Sequence, residues 1–290
     1  MLQSDKRKWL VAGAVLAGVL AGARLARDAR LRRERLRRGE LVALRGAWRR
    51  IGGIDMYARV ALGDPERRAL PVVLVHGFGV SSTYFVPTAE RLGARFDVYS
   101  PDLPGHGRSA TPPHAYDVSE QADALTAWMD AMGIERASLV ANSMGCQFAV
   151  ETARRHPARV ERLVLIGPTL DPAARNLLRL GGRFLYAALY EDWLLGVHIV
   201  RDYLRMGPRI PRELLFMLRY PTEARLREIR VPALFVRGEH DAIAPRAWIE
   251  RGVALVGKNA RWIELPGGAH AVNYGAADAL VECIAPFLGD

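Results

Sequence analysis

The chain has 290 residues, half of them hydrophobic and a quarter charged. This balance excludes a disordered, collagen-like or disulfide-framework protein, and the length suits one large α/β domain or two small ones. The formal net charge of +10 is typical of a nucleic-acid-binding protein, but residues 1–50 carry 14 Lys/Arg against 4 Asp/Glu, whereas residues 51–290 carry 27 of each. Because the body of the chain is neutral, we expect no nucleic-acid partner.

The N-terminal segment contains an uncharged run over residues 9–23, preceded by Lys6-Arg7-Lys8 and followed by an Arg-rich stretch. At about 1.5 Å per residue a helix over this run covers roughly 23 Å, less than the about 30 Å of a hydrocarbon core. Snorkelling basic side chains or local thinning of the bilayer would close that gap. The segment therefore remains a candidate for membrane contact.

Three interpretations of this segment stay open. A basic start, an apolar run and the small residues Ala21-Gly22-Ala23 are typical of a cleaved signal peptide, which predicts export. Eight arginines follow the run against three basic residues before it, which favours a membrane anchor formed by residues 1–40, with the rest of the chain on the cytoplasmic side. A flexible or core-packed helix is the third interpretation. We expect the anchor, with residues 1–43 separate from a folded domain over residues 44–290.

The remainder of the chain alternates strands and helices. Residues 44–61 predict a hairpin whose strands, Ala47–Ile51 and Ile54–Val60, flank Gly52-Gly53, and the apolar run Leu70–Val75 predicts a strand buried on both faces. Further elements are predicted as strands at Phe96–Ser100, Ser138–Ala141, Leu163–Ile166, Ala233–Val236 and Trp262–Leu265, and as helices at 119–132, Met144–His156 and Trp248–Val256. The alternation predicts an α/β fold, a mostly parallel sheet with helices on both faces.

One interval breaks the alternation, because more than sixty residues rich in Leu, Tyr, Phe and Arg separate the strands at 163–166 and 233–236. We predict a helical lid over about residues 170–231, inserted into a single domain. Its core, or an apolar wall over a binding site, is predicted from Tyr186, Leu189, Tyr190, Trp193, Leu194 and Leu195. The two cysteines, Cys146 and Cys283, are predicted to be buried thiols, and no Cys/His cluster has the spacing of zinc ligands.

A serine lies where one predicted strand ends. In VANSMGCQFA the strand ends at Asn142 and a helix begins just after Ser143, an arrangement that presents a serine hydroxyl above the sheet edge. The crowded turn needs small neighbours, which Ala141 and Gly145 supply. The helix N-terminus also offers a backbone N–H to a developing oxyanion.

Three more features follow strands. The motif His76-Gly77-Phe78-Gly79 aims a backbone donor into the site, so that the N–H groups of Phe78 and Met144 form a candidate oxyanion hole, although the motif also fits a plain Gly-rich turn. Asp241 and His270 follow the strands at 233–236 and 262–265, and both can converge beside the serine. Asp171 is an alternative acid after the strand at 163–166.

The order Ser…Asp…His, together with the loop DLPGHGRS at residues 102–109, resembles the α/β-hydrolase superfamily over about residues 45–288. Ala141 stands where the G-x-S-x-G pattern has its first glycine. The resemblance implies Ser143 as nucleophile, His270 as general base and Asp241 as its orienting carboxylate. It also implies no metal or organic cofactor. Contacts to the substrate are expected from His76, Gly77, Asn142 and Trp193.

The resemblance implies a serine hydrolase that cleaves a carboxylic ester of a hydrophobic substrate through an acyl-enzyme. The quartet Asn142-Ser143-Met144-Gly145 also resembles carbon–carbon bond hydrolases of the meta-cleavage type, although Ala271-Val272-Asn273-Tyr274 lacks the Trp that usually follows their histidine. A cofactor-free haloperoxidase-like perhydrolase and a non-catalytic membrane-tethered binding protein are further alternatives. Dehalogenases and epoxide hydrolases are disfavoured, because they carry an aspartate in place of the serine.

Overall fold

The computed structural model describes residues 2–63 and 69–289, without the side chains of residues 2–17. The chain divides into two compact units, Met1–Ala43 and Leu44–Asp290. The first unit contains helix α1, Leu2–Arg37, which is rich in the strong helix formers Ala, Leu and Arg and contains no proline. Most side chains of the apolar run at residues 9–23 lie outside the described set. Among the described helices, none combines the length and the hydrophobicity needed to cross a bilayer.

In the described part of the second unit, eight strands form one sheet in the order β1-β2-β4-β3-β5-β6-β7-β8. The strands are β1 Arg45–Ile51, β2 Ile54–Ala61, β3 Val72–Val75, β4 Val98–Pro101, β5 Ala137–Asn142, β6 Val160–Ile166, β7 Ala233–Gly238 and β8 Ala260–Leu265. The pairs β1–β2 and β2–β4 are antiparallel, and the other neighbours are parallel. The predicted α/β fold with a mostly parallel sheet is confirmed.

The helices of this unit cover the sheet. They are α2 Val86–Leu92, α3 Val118–Ala131, α4 Gly145–Arg155, α5 Leu177–Ala188, α6 Trp193–Met206, α7 Ile210–Arg219, α8 Thr222–Leu226, α9 Arg246–Val256, α10 Val272–Gly275 and α11 Ala277–Leu288. The three helices predicted from the sequence correspond to α3, α4 and α9, with ends that differ by at most two residues. A capping box begins α3, because the Asp117 carboxylate accepts from the Ser119 and Glu120 amides and the Glu120 side chain accepts from the Asp117 amide.

The central strands carry the core. Every residue of β3 and of β5 is buried, as the continuous apolar runs of a doubly covered parallel strand predict. Parallel strands direct their carboxyl ends to the same edge of the sheet, so the loops that follow β3, β5, β6, β7 and β8 all lie at one edge. This edge holds the residues that the sequence singles out.

Residues 167–232 lie between β6 and β7, and we call this segment the insertion. Buried polar contacts attach it to the body: His106 Nε2 lies 3.0 Å from Glu213 Oε2 of α7, and the Gln147 amide of α4 donates to the Met217 carbonyl at 3.1 Å. Burial disfavours the charged form of His106, but the Glu213 carboxylate outweighs this and raises the pKa of His106 overall. Helix α7 is therefore held by hydrogen bonds as well as by packing.

The two cysteines differ in their surroundings. Cys146 of α4 is buried, as predicted, and burial raises the pKa of its thiol. Cys283 is exposed, so the prediction of a buried thiol was wrong for this residue. The reason is helical periodicity: Cys283 lies on the side of α11 away from the buried residues Leu280, Ile284 and Leu288.

Candidate active site

Ser143 occupies the tight turn between β5 and α4. Its φ of 57° is the one positive value among the non-glycine residues that the structure describes. Such a conformation is rare for a residue with a side chain, and it persists where the surroundings fix it. The Ser143 amide donates to the Ile166 carbonyl at the end of β6 at 2.9 Å, and its carbonyl accepts from the Cys146 amide at 3.0 Å.

Gly145 allows the turn to pack against the neighbouring strand. A Cβ atom at this position would collide with the carbonyl oxygens of Val75 and His76. Ala141, which replaces the first glycine of the common pattern, is fully buried within β5. Of the two predicted small neighbours of Ser143, Gly145 is therefore required by the close approach of the backbone of β3.

His270 and Asp241 meet at the same edge of the sheet, in the loops after β8 and β7. His270 Nδ1 lies 3.0 Å from Asp241 Oδ2, while Asp241 Oδ1 accepts from the Ile243 and Ala244 amides, each at 2.9 Å. Both side chains are buried. Three hydrogen bonds thus fix the carboxylate, which in turn orients the imidazole.

Asp171, the alternative acid, has other partners. One carboxylate oxygen accepts from the Ala173 amide at 3.0 Å, and the other accepts from Arg183 Nη1 of α5 at 2.7 Å. Asp171 therefore caps the turn that begins the insertion, and Asp241 is the carboxylate that pairs with His270.

The charge state of His270 is set by two opposing effects. Burial disfavours the imidazolium, but the carboxylates of Asp241 and Glu191 outweigh it and raise the pKa of His270 overall. Its Nε2 is buried and has no hydrogen-bond partner within residues 2–63 and 69–289. Ser143 and His270 line the same cavity, and catalytic hydrogen bonds of this kind often form only when a substrate is present.

A cavity of about 120 Å³ lies against this edge. The loops after the strands contribute Gly77, Phe78, Asn142, Ser143, Ile243, His270 and Ala271 to its lining. Helices α5 and α6 contribute Phe184, Ala187, Ala188, Leu195, Ile199 and Tyr203. Val80, Tyr84 and Glu191 complete the wall. Mostly apolar walls with a few polar groups are typical of a small-molecule site.

The two predicted oxyanion donors lie close together. A Cβ on Gly77 would lie 3.1 Å from Ser143 Cβ and 3.6 Å from the Met144 nitrogen, so the loop that carries Phe78 packs directly on the serine turn. Within the described residues neither the Phe78 nor the Met144 amide donates a hydrogen bond. Both N–H groups are thus available to an acceptor. Gly77 and Asn142, predicted at the substrate, line the cavity.

His76, also predicted at the substrate, lies outside the cavity lining. Its ring is fully buried: Nε2 accepts from the Leu103 amide at 3.0 Å, and Nδ1 lies 3.0 Å from the Gly77 carbonyl oxygen. Burial and the neighbouring His106 lower the pKa of His76 to about 4, so the ring is neutral near pH 7. In the structure His76 supports the loop after β3 and does not line the cavity.

Trp193, also predicted at the substrate, and its neighbours differ in their exposure. Trp193 begins α6, is 41% exposed and does not line the cavity. Of the residues predicted as lid core, Leu195 is buried and lines the cavity, whereas Tyr186, Leu189 and Tyr190 are exposed. Helical periodicity explains this result, since the inner side of each helix is already filled by other apolar residues.

Two residues close to the His270–Asp241 pair were not predicted from the sequence. Gly167 follows β6 with a φ of 50°, and a Cβ there would lie 2.7 Å from Asp241 Oδ2 and 2.8 Å from His270 Nδ1. The Glu191 carboxylate accepts from the Ala271 amide at 2.8 Å, and burial raises its pKa. The available signals were a glycine directly after a strand at the reactive edge and a carboxylate inside an otherwise apolar stretch.

Comparisons with known proteins agree with this fold. Residues 72–283 match the Alpha/beta hydrolase family. The chain is 37% identical over 153 residues to Abhydrolase domain-containing protein abhd-5.2 of Caenorhabditis elegans, which covers 50% of this chain and 34% of that protein. It is 28% identical over 268 residues to the Putative carbamate hydrolase RutD of Caulobacter sp. (strain K31), which covers 82% of this chain and 97% of that protein. The chain thus spans about a third of the nematode relative.

Solved structures share the architecture. A membrane phospholipase A aligns with a TM-score of 0.71 and 23% identity over 97% of this chain and 99% of its own. The enol-lactonase from Burkholderia xenovorans LB400 aligns with a TM-score of 0.67 and 24% identity over 84% of this chain and 100% of its own. A thermophilic esterase from Thermogutta terrifontis aligns with a TM-score of 0.67 and 21% identity over 84% and 98%. These likenesses establish the fold.

Proposed function

The chain belongs to the alpha/beta hydrolase family, and from that premise we propose that it is a serine hydrolase that cleaves carboxylic esters of hydrophobic substrates. One observation carries the proposal: Ser143, in a strained turn, lines the same cavity as His270, whose other ring nitrogen is held by a buried Asp241. A serine, a base and an orienting carboxylate in this order are the groups that acyl transfer requires.

The mechanism begins with attack of Ser143 Oγ on the ester carbonyl carbon while His270 Nε2 takes the hydroxyl proton. Asp241 orients the ring and stabilises the imidazolium. The oxyanion accepts hydrogen bonds from the Phe78 and Met144 amides, which develop their full strength only when charge forms on the oxygen. Collapse breaks the C–O bond, and His270 gives the proton to the departing alcohol. Water, deprotonated by His270, then attacks the acyl-enzyme carbonyl. The bond between this carbon and Ser143 Oγ breaks, His270 returns the proton to Ser143, and the carboxylic acid leaves.

The cavity walls support an apolar substrate portion. Helices α5 and α6 present side chains such as Phe184, Leu195 and Ile199 to the cavity, and none of these three has a polar atom to satisfy. Burial of each additional CH₂ contributes about 0.8 kcal/mol, so kcat/KM should rise about fourfold per methylene until the cavity is full. The names of the structural neighbours, an esterase, an enol-lactonase and a phospholipase, support the ester class.

A fluorophosphonate probe tests the nucleophile. Purified protein should be labelled on a single peptide that contains Ser143, and the Ser143→Ala variant should lose both labelling and turnover of p-nitrophenyl esters. Ser138→Ala is the matched control, since Ser138 lies on β5 five residues before Ser143 and is also buried. Labelling that persists in Ser143→Ala would refute the assignment.

We also propose that residues 1–40 hold the enzyme at a membrane, with the catalytic unit on the cytoplasmic side. The charge distribution supports this proposal, because eight arginines follow the apolar run and each basic residue near an anionic surface contributes about 1 kcal/mol. Cell fractionation is the test. An anchored protein stays in the membrane pellet through a high-salt wash, whereas a surface contact elutes. Full-length protein found only in the soluble fraction contradicts the proposal, as does a mature protein that begins near Arg24 outside the cytoplasm.

A further inference from the structure

The insertion exposes two apolar stripes on consecutive helices. Helix α5 with its C-cap carries one at spacing i, i+7, i+11, and α6 carries the other at i, i+4, i+7, i+11, so each stripe follows one side of its helix. Their side chains are between 41% and 87% exposed. We call these seven residues the outer face: Leu178, Leu185, Leu189, Trp193, Val197, Val200 and Leu204.

Among the described residues, those of the outer face remain exposed to solvent. The opposite side of α5 is already occupied by Leu180, Phe184 and Ala187, and the opposite side of α6 by Leu195 and Ile199. A helix that packs on one side of a soluble domain normally presents polar residues on the other. Single exposed apolar residues are ordinary, but stripes of leucine and valine on two successive helices indicate an interaction surface.

The charges around the outer face identify its partner. Across residues 175–219, all within the described chain, the exposed charged residues are all arginines: Arg175, Arg179, Arg201, Arg205, Arg212 and Arg219. Of these, Arg201 also pairs with the buried Asp202. The acidic residues of this stretch are either buried or accept hydrogen bonds from backbone amides. Asp202 and Glu213 are buried, Glu191 accepts from the Ala271 amide, and Asp192 accepts from the Leu194 amide. A second copy of this basic surface would be repelled, whereas anionic headgroups would be attracted.

We propose that the outer face docks on an anionic lipid bilayer, with the leucine and valine stripes at the acyl boundary and the arginines on the headgroups. This surface is formed by α5 and α6 and includes none of residues 1–40. For substrate access the inference rests on the proposed function: the inner sides of the same two helices line the cavity, so docking would bring the bilayer's esters next to the residues that cleave them.

Fluorescence from labelled cysteines tests docking on the full chain. Leu178→Cys and Leu204→Cys, each in a Cys283→Ser background, receive an environment-sensitive fluorophore, and native Cys283, exposed on α11, carries the same label as control. Phosphatidylcholine vesicles with about 30% phosphatidylglycerol should shift the emission of the insertion labels to the blue, and nitroxide lipids should quench them. The Cys283 label should not respond.

Two results would overturn the proposal. The first is an insertion label that stays unshifted while the protein sediments with the vesicles, or a Cys283 label that shifts equally. The second is a blue shift that appears without lipid as protein concentration rises, because it would make the outer face a contact between copies of the chain.

Charge variants test the role assigned to the arginines. Arg205→Gln and Arg212→Gln should each raise the phosphatidylglycerol vesicle concentration that half-shifts the insertion label, by about fivefold. Arg227→Gln and Arg230→Gln are the controls, since both residues are exposed but lie beyond α8. Equal effects of the two pairs would contradict docking through the outer face.

Kinetics separate this inference from the proposed function. Leu178→Ser with Leu204→Ser should lower hydrolysis of a vesicle-borne ester while leaving a soluble p-nitrophenyl ester unaffected, and Leu62→Ser, exposed on the body, should change neither. Loss of both activities, or of neither, contradicts the docking role. If the wild-type chain hydrolyses no ester, the proposed function fails, and the fluorescence result still decides whether the outer face binds lipid.

Discussion

The carboxyl edge of the sheet and the insertion between β6 and β7 hold their side chains in different ways. At the sheet edge Asp241 accepts three hydrogen bonds, Ser143 lies in a strained turn fixed by β6, and Gly145 and Gly167 leave no room for a side chain. In the insertion, α5 and α6 expose most of one side and face the cavity with the other.

In the proposed hydrolase, this difference corresponds to two tasks, acyl transfer and substrate recognition. Acyl transfer requires reacting groups held to within a fraction of an ångström, and buried strand ends supply that rigidity. Recognition of an apolar substrate tolerates displacement, because hydrophobic burial depends on area and not on direction. Substitutions at the sheet edge should therefore affect kcat, whereas substitutions in the insertion should affect which substrates reach the site.

Replacement of the orienting acid should give the largest effect. Asp241→Asn should lower kcat by about 10⁴-fold on a soluble ester, because His270 loses the acceptor that fixes its tautomer. Asp171→Asn is the matched control and should change kcat by less than about threefold, since Asp171 pairs with Arg183. The reverse ranking would move the acid to Asp171.

A substitution at Gly167 tests how much displacement of the His270–Asp241 pair the proposed active site tolerates. Gly167→Ala places a methyl group against Asp241 Oδ2 and His270 Nδ1 at a backbone φ of 50°, so kcat should fall about 10²-fold. Gly196→Ala, on α6 with open space at the Cβ position, should leave kcat unchanged. Steady-state kinetics of both variants measure these changes in kcat. Equal kcat values would show that the His270–Asp241 pair can shift without loss.

Glu191 joins the two regions, since it belongs to the insertion but bonds to the loop of His270. Its carboxylate helps to raise the pKa of His270, and a general base must be neutral to act. Glu191→Gln should therefore shift the acid limb of the kcat/KM profile to lower pH. Glu239→Gln, on an exposed loop carboxylate that accepts from the Gly267 amide, is the control and should leave the limb in place. A limb that stays, or moves to higher pH, in Glu191→Gln would contradict the electrostatic role.

The free energy of unfolding should show the smallest of the expected differences between the two regions. Leu139→Ala in β5 removes a fully buried side chain and should lower the free energy of unfolding by 2–5 kcal/mol, about the range for such cavities. Leu185→Ala on the outer face should change it by about 0.5 kcal/mol or less. Urea unfolding of both variants gives the comparison. A large loss for Leu185→Ala would mean that its side chain is covered in solution.

Sequence patterns predicted the sheet edge better than the insertion, for physical reasons. Buried parallel strands leave continuous apolar runs in the sequence. The Ser-x-Gly pattern directly after such a run identifies Ser143. Asp241 and His270 follow from the same logic of strand ends. In the insertion apolar residues lie on both sides of α5 and α6, so the pattern could not tell the exposed Trp193 from the buried Leu195. Gly167 and Glu191 act through contacts between loops distant in sequence, which composition does not reveal.

Acid-quench trapping of the acyl-enzyme tests the central claim most directly. A p-nitrophenyl ester of a medium-length fatty acid is mixed in excess with the enzyme, and the reaction is quenched with acid within the burst phase and analysed by peptide mass spectrometry. We predict one equivalent of p-nitrophenol per enzyme and an acyl mass on the peptide that contains Ser143, and neither in Ser143→Ala. Acyl mass on another residue, or turnover without any acylated peptide, would contradict the proposed serine hydrolase mechanism.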